Sequence, residues 1–308
     1  MATLTRRTAL MTGAAAPLAL AAAGAPRPAL AQEAQPMPMP QARGFRLGEL
    51  EITTLLAGSF PREEPQSIFG MNVSEETFAE VSRENFIGTD AAQFFFTPTV
   101  VRAGETVILF DTGLSAESLR GPLAEAGFTP EAITHVVLTH MHGDHIGGMT
   151  TENGDKTYAN AALITGAVEY DAWAAQDNDT FDAKVRPFAD EFTFVGDGAQ
   201  IAPGVTAMAA FGHTPGHMTW MLESGGQQLL LMADLANHYV WSLGYPDWEV
   251  RFDMDKEAAA ATRRRVLGML AADRIPMIGY HMPFPAAGFV EPRGEGFRYV
   301  PVSYQLMG

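Results

Sequence analysis

Apolar positions along the chain fall into short runs typical of buried strands, separated by stretches with helical spacing. The clearest strand-like runs are ITHVVLTH at 133–140, AALITG at 161–166, QQLLLMAD at 227–234 and PMIGYH at 276–281. Their length and continuous apolar character are typical of short strands buried on both faces. A strand or hairpin is also expected at 45–58, and FFFTPTVVRAGETVILFDTG is expected to form two strands joined at Ala103-Gly104.

Helices are predicted where a capping side chain precedes apolar residues with a 3.6-residue period. Ser74 and Asp255 are suitable N-caps for two of them, and the others are expected at 115–127 and 167–176. The strands arrive in pairs with helices between them. This order predicts a layered α/β domain with β-sheets packed inside and helices outside.

The first residues have the composition of an export signal rather than of a folded domain. A twin arginine, Arg6-Arg7, is followed by an alanine-rich run and by an A-x-A site that ends at Ala31. We therefore expect a periplasmic or secreted protein without a membrane partner, because no later run approaches 18 apolar residues. The predicted organisation is a Tat-type signal peptide at 1–31, a flexible proline-rich lead-in at 32–44 and a single domain at 45–308.

Charge and cysteine content exclude several classes of protein. The chain carries 36 Asp and Glu against 20 Lys and Arg, which gives a net charge of −16. An acidic surface repels phosphate backbones, so nucleic acid is not expected as a partner. The chain has no cysteine, which excludes disulfides, thiolate nucleophiles and cysteine-based metal sites.

Three of the eight histidines crowd into the stretch THMHGDHIGG, directly after an apolar run. His140, His142, Asp144 and His145 are all metal-ligand types, and an imidazole is costly to bury without a partner. Gly143 allows the sharp turn that lets these side chains converge. Further candidate ligands follow other apolar runs, where strands end in loops: His213, Asp234 and His281. The pattern predicts a metal site, and two ions accommodate so many donors more easily than one.

The order H-x-H-x-D-H, followed by histidine, aspartate and histidine at strand ends, resembles the metallo-β-lactamase superfamily. FDTG at 110–113 and GHTPGH at 212–217 support this resemblance. The stretches most similar to the methyl parathion hydrolase-like group are AQFFFTPTVV at 92–101, EYDAW at 169–173 and GYHMPFP at 279–285. The resemblance implies an α/β fold, namely an αβ/βα sandwich of two mixed β-sheets flanked by helices, with the site along one edge.

The resemblance also implies a role for each candidate ligand. Two divalent ions, for which zinc suits the nitrogen and oxygen donors best, share one carboxylate. The implied set is His140, His142 and His213 for the first ion, Asp144, His145 and His281 for the second, and Asp234 bridging both. The implied protein is a dinuclear metal-dependent hydrolase acting on a small-molecule substrate. A metal-bridging hydroxide, which Asp144 helps to orient, attacks a fairly apolar ester-like compound of the lactone or phosphotriester class.

Several other side chains are candidates for the surroundings of the site. Asp111 is expected either to orient a ligand histidine or simply to form a turn. His217 is expected to hydrogen-bond locally, and His135 to be structural. The candidates for lining a substrate pocket are His238, Trp173, Phe94, Phe95, Phe96 and Phe284, although aromatic residues at such positions usually belong to the core.

Two other activities and a non-enzymatic role are alternatives. A metallo-β-lactamase is ranked lower because no lysine is clearly placed to take a substrate carboxylate. An iron-containing redox enzyme on the same fold resembles H-x-E-x-D, whereas this chain has His142 at the position of that glutamate. A binder that keeps its metals for support alone is disfavoured by the full ligand set.

Overall fold

The computed structural model describes residues 39–302. The predicted signal peptide lies outside these residues, so export stays a prediction. The predicted lead-in at 32–44 is too long, because strand β1 (Ala42–Leu47) already includes its last three residues. Main-chain pairing with residues 53–55 orders them. Between residues 39 and 302, no helix is both long and apolar enough to cross a membrane.

Short strands and mostly short helices make up the described part of the chain. The remaining strands are β2 (Leu50–Leu55), β3 (Gly58–Glu63), β4 (Ala91–Phe96), β5 (Thr99–Ala103), β6 (Thr106–Phe110), β7 (His135–Leu138), β8 (Ala162–Gly166), β9 (Phe192–Val195), β10 (Gln200–Ala202), β11 (Val205–Ala209), β12 (Met218–Ser224), β13 (Gln227–Ala233), β14 (Met277–Gly279), β15 (Ala287–Arg293) and β16 (Gly296–Pro301). The α-helices are α1 (Glu75–Glu84), α2 (Arg120–Glu125), α3 (Gly143–Ile146), α4 (Ala167–Ala174), α5 (Asp179–Lys184) and α6 (Lys256–Asp273).

The strands build two large sheets and a separate hairpin. The first sheet has the order β1-β2-β5-β6-β7-β8-β9, with β6 to β9 parallel and the other neighbours antiparallel. The second has the order β10-β11-β12-β13-β14-β15-β16, with β13 and β14 parallel and the other neighbours antiparallel. Both sheets are therefore mixed, as predicted. Strands β3 and β4 pair with each other in the hairpin.

Successive side chains of the first sheet are buried on opposite faces. In β6, Ile108 packs into the core that includes Trp220 of β12 in the second sheet. Its neighbour Leu109 packs on the other face with Leu123 of α2. Val266 of α6 belongs to the core of the second sheet. Because strand side chains alternate, one face meets the opposite sheet and the other meets helices, which explains the continuous apolar runs.

Most predicted helices and strands are present, with ends set by caps and by proline. The side chains of Ser74 and Asp255 accept hydrogen bonds from the first turns of α1 and α6, so both N-caps are confirmed. Residues 94–103, predicted as one strand, are divided between β4 and β5, with Pro98 in the break. Strands β15 and β16 were not predicted, because glycine, proline and charged residues interrupt their alternation.

Candidate metal centre

Side chains from both large sheets converge beyond the ends of strands. His140 and His142 follow β7, and the turn at Gly143 begins α3, which carries Asp144 and His145. From the second sheet come the residues after β11, β13 and β14, which are His213, Asp234 and His281. The structure therefore brings together all seven predicted ligands, in two groups.

The first position is defined by His140, His142 and His213. His142 Nδ1 lies 3.1 Å from His140 Nε2 and 2.9 Å from His213 Nε2, so three ring nitrogens face one another. Asp234 Oδ2 lies 3.4 Å from His213 Nε2. The four donors lie within 4.8 Å of one another. Three imidazoles and a carboxylate at such spacing form a ligand set for a single ion.

The second position is defined by Asp144, His145 and His281. Asp144 Oδ2 lies 3.5 Å from His145 Nε2 and 3.3 Å from His281 Nε2. Asp234 reaches this group too, because its Oδ1 lies 3.3 Å from His145 Nε2 and its Oδ2 lies 3.1 Å from His281 Nε2. The Asp234 carboxylate therefore lies between the two positions.

The outer ring nitrogens of four imidazoles all have hydrogen-bond partners. His140 Nδ1 lies 3.1 Å from Thr139 Oγ1, which donates its own hydrogen to Asp111 Oδ2 and therefore accepts from the imidazole. The other pairs are His145 Nδ1 with Asp111 Oδ2 at 2.8 Å, His213 Nδ1 with Asp253 Oδ1 at 2.9 Å, and His281 Nδ1 with the Phe95 carbonyl at 2.8 Å. An acceptor at Nδ1 holds the proton there, so each Nε2 faces inward and can bind a cation once it carries no proton.

The chemistry of this donor set fits divalent cations. His145 Nε2 and Asp234 Oδ1 are buried and have no hydrogen-bond partner within the described residues. A buried polar atom without a partner is costly, and the inward lone pairs of His140 and His142 repel each other. A cation at each position removes both costs. All the donors are nitrogen or oxygen, which suits zinc and related metals.

The two positions differ in electrostatics. Burial lowers the pKa of His142 to about 3. In the second position burial acts in the same direction, but Asp234 and Asp144 outweigh it and raise the pKa of His281 to about 10. Burial alone would raise the pKa of Asp144, yet His145 and His281 hold it below its ordinary value. Burial therefore favours neutral His140 and His142 in the first position, whereas the second favours imidazolium beside carboxylate until a metal replaces the protons.

A buried ion pair behind the first position was not predicted. Arg263 Nη1 donates to Asp253 Oδ2 at 2.7 Å, and the other oxygen of Asp253 accepts from His213. Burial would raise the pKa of Asp253, but His213 and Arg263 lower it, so this carboxylate is an anion. The available signal in the sequence was an arginine on the buried face of α6, four residues after Ala259 and four before Leu267.

The second position is supported by Asp111 and Tyr280. Asp111 accepts from the Thr139 N–H at 2.8 Å as well as from His145, and its backbone has a left-handed turn conformation with φ of 62°. Tyr280, which was not predicted, packs against His145 with ring centroids 3.9 Å apart. Its hydroxyl donates to the Asp144 carbonyl at 2.5 Å. Its position immediately before His281 was the signal in the sequence.

A cavity of about 370 Å³ opens onto both positions. Its walls, apart from the residues of the two positions, are formed by Phe60, Arg62, Phe94, Phe96, Leu114, Gly143 and Phe252. The Arg62 guanidinium lies 5.0 Å from the centre of the Phe60 ring. A larger cavity of about 630 Å³ lies beside Tyr245 and Trp248, and none of the seven convergent side chains lines it.

The phenylalanine candidates divide between the cavity and other places. Phe94 and Phe96 line the cavity, and their rings meet His281 edge-on with centroids 5.6 and 5.2 Å apart. Phe95 contributes its carbonyl to His281, and neither its side chain nor that of Phe284 lines the cavity. The alternation of β4 therefore turns two of its three phenylalanines toward the candidate centre.

Trp173 and His238, candidates for the surroundings of the site, do not line the cavity. Trp173 is buried on α4 with its ring 5.7 Å from His142, but it does not line the cavity. His238 stacks on Trp241 at 4.1 Å, and its Nδ1 accepts from the N–H groups of Val240 and Trp241. Burial lowers the pKa of His238 to about 3. Two backbone N–H groups and the Trp241 ring therefore hold the neutral His238 imidazole within the aromatic core, away from the cavity.

The two remaining histidines have the local roles expected of them. His217 Nδ1 lies 3.1 Å from the Ala210 carbonyl, and its Nε2 accepts from the Asp234 N–H at 3.1 Å. His135 is half-buried on β7, with Nδ1 2.9 Å from the Thr134 hydroxyl. Neither is a member of the two metal-binding groups.

Residues 97–277 match the family described as the metallo-beta-lactamase superfamily, which is more than half of the chain. The chain therefore belongs to the metallo-β-lactamase superfamily and has its fold, with two mixed sheets flanked by helices. This confirms the family and the fold class predicted from the H-x-H-x-D-H pattern.

The curated relatives include N-acyl homoserine lactonases. One from Bacillus sp is 30% identical over 102 residues, which are 33% of this chain and 38% of that protein. Another, from Bacillus cereus, is 29% identical over 110 residues, which are 36% of this chain and 41% of that protein. The chain thus spans about two fifths of the length of these relatives.

Solved structures resemble this protein over most of its length. AidC, a dizinc quorum-quenching lactonase in complex with a product N-hexnoyl-L-homoserine, aligns with a TM-score of 0.80 and 25% identity, over 86% of this chain and 99% of that chain. The hydrolase AbOPH of the beta lactamase superfamily aligns with a TM-score of 0.78 and 21% identity, over 87% of this chain and 99% of that chain. The second likeness shows the fold alone.

Proposed function

We propose that this protein is a metal-dependent hydrolase that uses two divalent ions, with zinc as the best-suited metal. The observation that carries the proposal is the inward direction of the Nε2 atoms, since the opposite ring nitrogens are engaged with acceptors. The first position would hold one ion and the second position the other, and the Asp234 carboxylate, which is close to both, would contribute to both.

The protein supplies orientation and a preorganised charge distribution. Bound at these positions, two divalent ions acidify water and polarise the substrate oxygen. Asp144 is partly exposed to the cavity and anionic, so it accepts a hydrogen bond from the attacking water and orients it. The outer partners Asp111 and Asp253 fix the imidazole rings, so the ligands need no reorganisation during the reaction.

A small lactone with an apolar substituent is the substrate class supported best. The relatives are named as N-acyl homoserine lactonases and as a dizinc lactonase. The cavity joins the metal positions to a wall of four phenylalanines. A lactone carbonyl at the metal positions leaves an acyl substituent against this wall, and opening the ring requires no protein nucleophile.

Two further substrate classes compete with the lactone. The resemblance to the methyl parathion hydrolase-like group favours a phosphotriester, which is also neutral and would fit the same aromatic wall. A β-lactam is favoured by Arg62, a cation at the cavity that the sequence analysis did not single out and that suits a substrate carboxylate. The predicted Tat-type signal supports the proposal that the enzyme acts in the periplasm or outside the cell.

The test is a panel of N-acyl lactones, phosphotriesters, aryl esters and β-lactams, assayed with zinc-loaded protein, chelator-treated protein and H140A. We expect turnover of lactones above all other classes, its loss on chelation and its return with zinc. H140A should lose turnover and one bound ion. Equal turnover before and after chelation would contradict the proposal, as would iron without zinc in the active protein.

A further inference from the structure

Glu169 is a completely buried carboxylate on helix α4, with 0% of the residue exposed. Burial raises the pKa of its carboxyl group, and every one of its hydrogen-bond donors is neutral. Burying such a group without a cationic partner costs stability. Its presence therefore needs a reason beyond the packing of α4.

The hydrogen bonds of Glu169 all go to two loops that carry imidazoles of the first position. Oε1 accepts at 2.9 Å from the N–H of Met141, which lies between two of those imidazoles in the chain. Oε2 accepts from the Thr214 hydroxyl at 2.7 Å and from the Gly216 N–H at 2.8 Å, just after the third imidazole. One carboxylate thus joins segments that the chain separates widely.

The loop of Gly216 lies directly against the start of α4. A Cβ atom on Gly216 would lie 2.1 Å from the Glu169 backbone nitrogen, so the second glycine of GHTPGH is needed for this approach. The Met218 N–H donates to the Thr139 carbonyl at 3.0 Å, which links the same two segments a second time. The Glu169 carboxylate therefore lies where the start of α4 is tightly packed against the loop of Gly216.

The second position has separate supports. His145 is held by Asp111, and His281 by the Phe95 carbonyl, while Tyr280 packs against His145. None of the hydrogen bonds of Glu169 reaches these residues. Loss of its carboxylate should therefore disturb one position and spare the other.

We propose that Glu169 is a positioning residue that holds the three imidazoles of the first position at ligand distance and governs the metal affinity of that position alone. This rests on the proposed function in so far as metal ions bind both positions. A purely structural role differs in its consequences, because it would weaken both ions together and destabilise the metal-free protein.

The experiment titrates metal-free E169Q with zinc against a competing chelator and records thermal unfolding of the metal-free protein. The amide keeps the size of the side chain but turns an NH₂ group toward one of the three donors. We expect one ion to bind about 10- to 100-fold more weakly and the other to change by less than about twofold. The melting temperature without metal should not fall, because E169Q buries no charge.

Double variants assign the weakened ion. In an H145A background, which leaves the first position, E169Q should weaken the remaining ion by the same factor. In an H140A background, which leaves the second position, it should change nothing. The matched control is E125Q, since Glu125 also accepts a backbone N–H from a distant segment, at 3.1 Å from Gln41, but lies away from the centre.

The outcomes separate the two proposals. Wild-type protein that binds fewer than two ions would overturn the proposed function, and the role of Glu169 with it. Two ions in the wild type with equal losses in E169Q, or with no loss, would overturn the role of Glu169 alone. Loss confined to the first position, with the melting temperature kept, supports it.

Discussion

The two candidate metal positions are both close to the Asp234 carboxylate but differ in charge. The first consists of three imidazoles, and burial lowers the pKa of His142 to about 3. The second combines two imidazoles with Asp144, and Asp234 and Asp144 raise the pKa of His281 to about 10 against the effect of burial. Without metal, His140 and His142 of the first position are neutral, whereas protons on His145 and His281 hold the second position together.

The supports of the two positions differ as well. Glu169 and the Asp253–Arg263 ion pair lie behind the first, and Asp111 and Tyr280 lie behind the second. A centre of this kind is therefore two unlike sites joined by one ligand, rather than one site repeated. We expect the two ions to respond differently to substitution and to pH.

The largest effect is expected from removing the ligand that the positions share. D234A should abolish binding of both ions and lower turnover by more than about 1,000-fold, because water is no longer acidified from a pKa of 15.7 to about 7. Metal content by mass spectrometry and single-substrate kinetics measure this. D273N, at an exposed aspartate, is the control. Retention of one full ion by D234A would show that the carboxylate is not shared.

A smaller effect is expected when the outer carboxylates are neutralised one at a time. D253N should weaken the ion of the first position and D111N chiefly that of the second, each by about 10- to 100-fold, because the imidazole in direct contact loses its charged acceptor, whereas Asp111 reaches His140 only through Thr139. Asparagine tolerates the positive φ of Asp111, so D111N should fold. Zinc titration of the two variants measures this. Weakening of the same ion in both would contradict the separate supports.

The third prediction concerns pH. Zinc must displace protons from the second position at any pH below the His281 pKa of about 10, whereas His142 of the first position is already deprotonated above its pKa of about 3. As pH falls from 8 to 6, affinity at the second position should fall about tenfold per unit for each proton displaced. Affinity at the first should barely change. Zinc titrations across this range test the prediction, with H140A reporting the second position and H145A the first. Equal pH dependence in the two variants would contradict the electrostatic difference.

The smallest effect is expected at the aromatic wall. Phe252 is 38% exposed and lines the cavity. F252A should raise KM for a long-chain N-acyl lactone about fivefold, since lost apolar contact is worth about 1 kcal/mol, and should leave kcat nearly unchanged. F194A, at a phenylalanine of similar exposure outside the cavity, is the control. A fall in kcat with an unchanged KM would show that Phe252 acts on the reaction instead.

The ligands were predictable because each follows an apolar strand, and strand ends meet at one edge of a sheet. Of the supporting residues, Asp111 was a candidate, but Glu169, Asp253, Arg263 and Tyr280 were not, since their partners lie far away in the chain and depend on how loops pack. Glu169 meets Gly216 across 47 positions, and His213 meets Asp253 across 40. His238 is the opposite case. It follows the candidate ligand Asp234 by four residues, yet its hydrogen bonds and its stacking on Trp241 place it in the core. The pattern of apolar residues in the sequence located the strands. Which neighbours a loop side chain contacts is decided only by how the loops pack in the folded protein.

The most direct test is anomalous X-ray diffraction from zinc-loaded crystals at the zinc absorption edge. We predict two peaks, one bounded by the imidazoles of the first position and one by the side chains of the second, with the Asp234 carboxylate between them. A single peak, or peaks away from these seven side chains, would contradict the dinuclear centre.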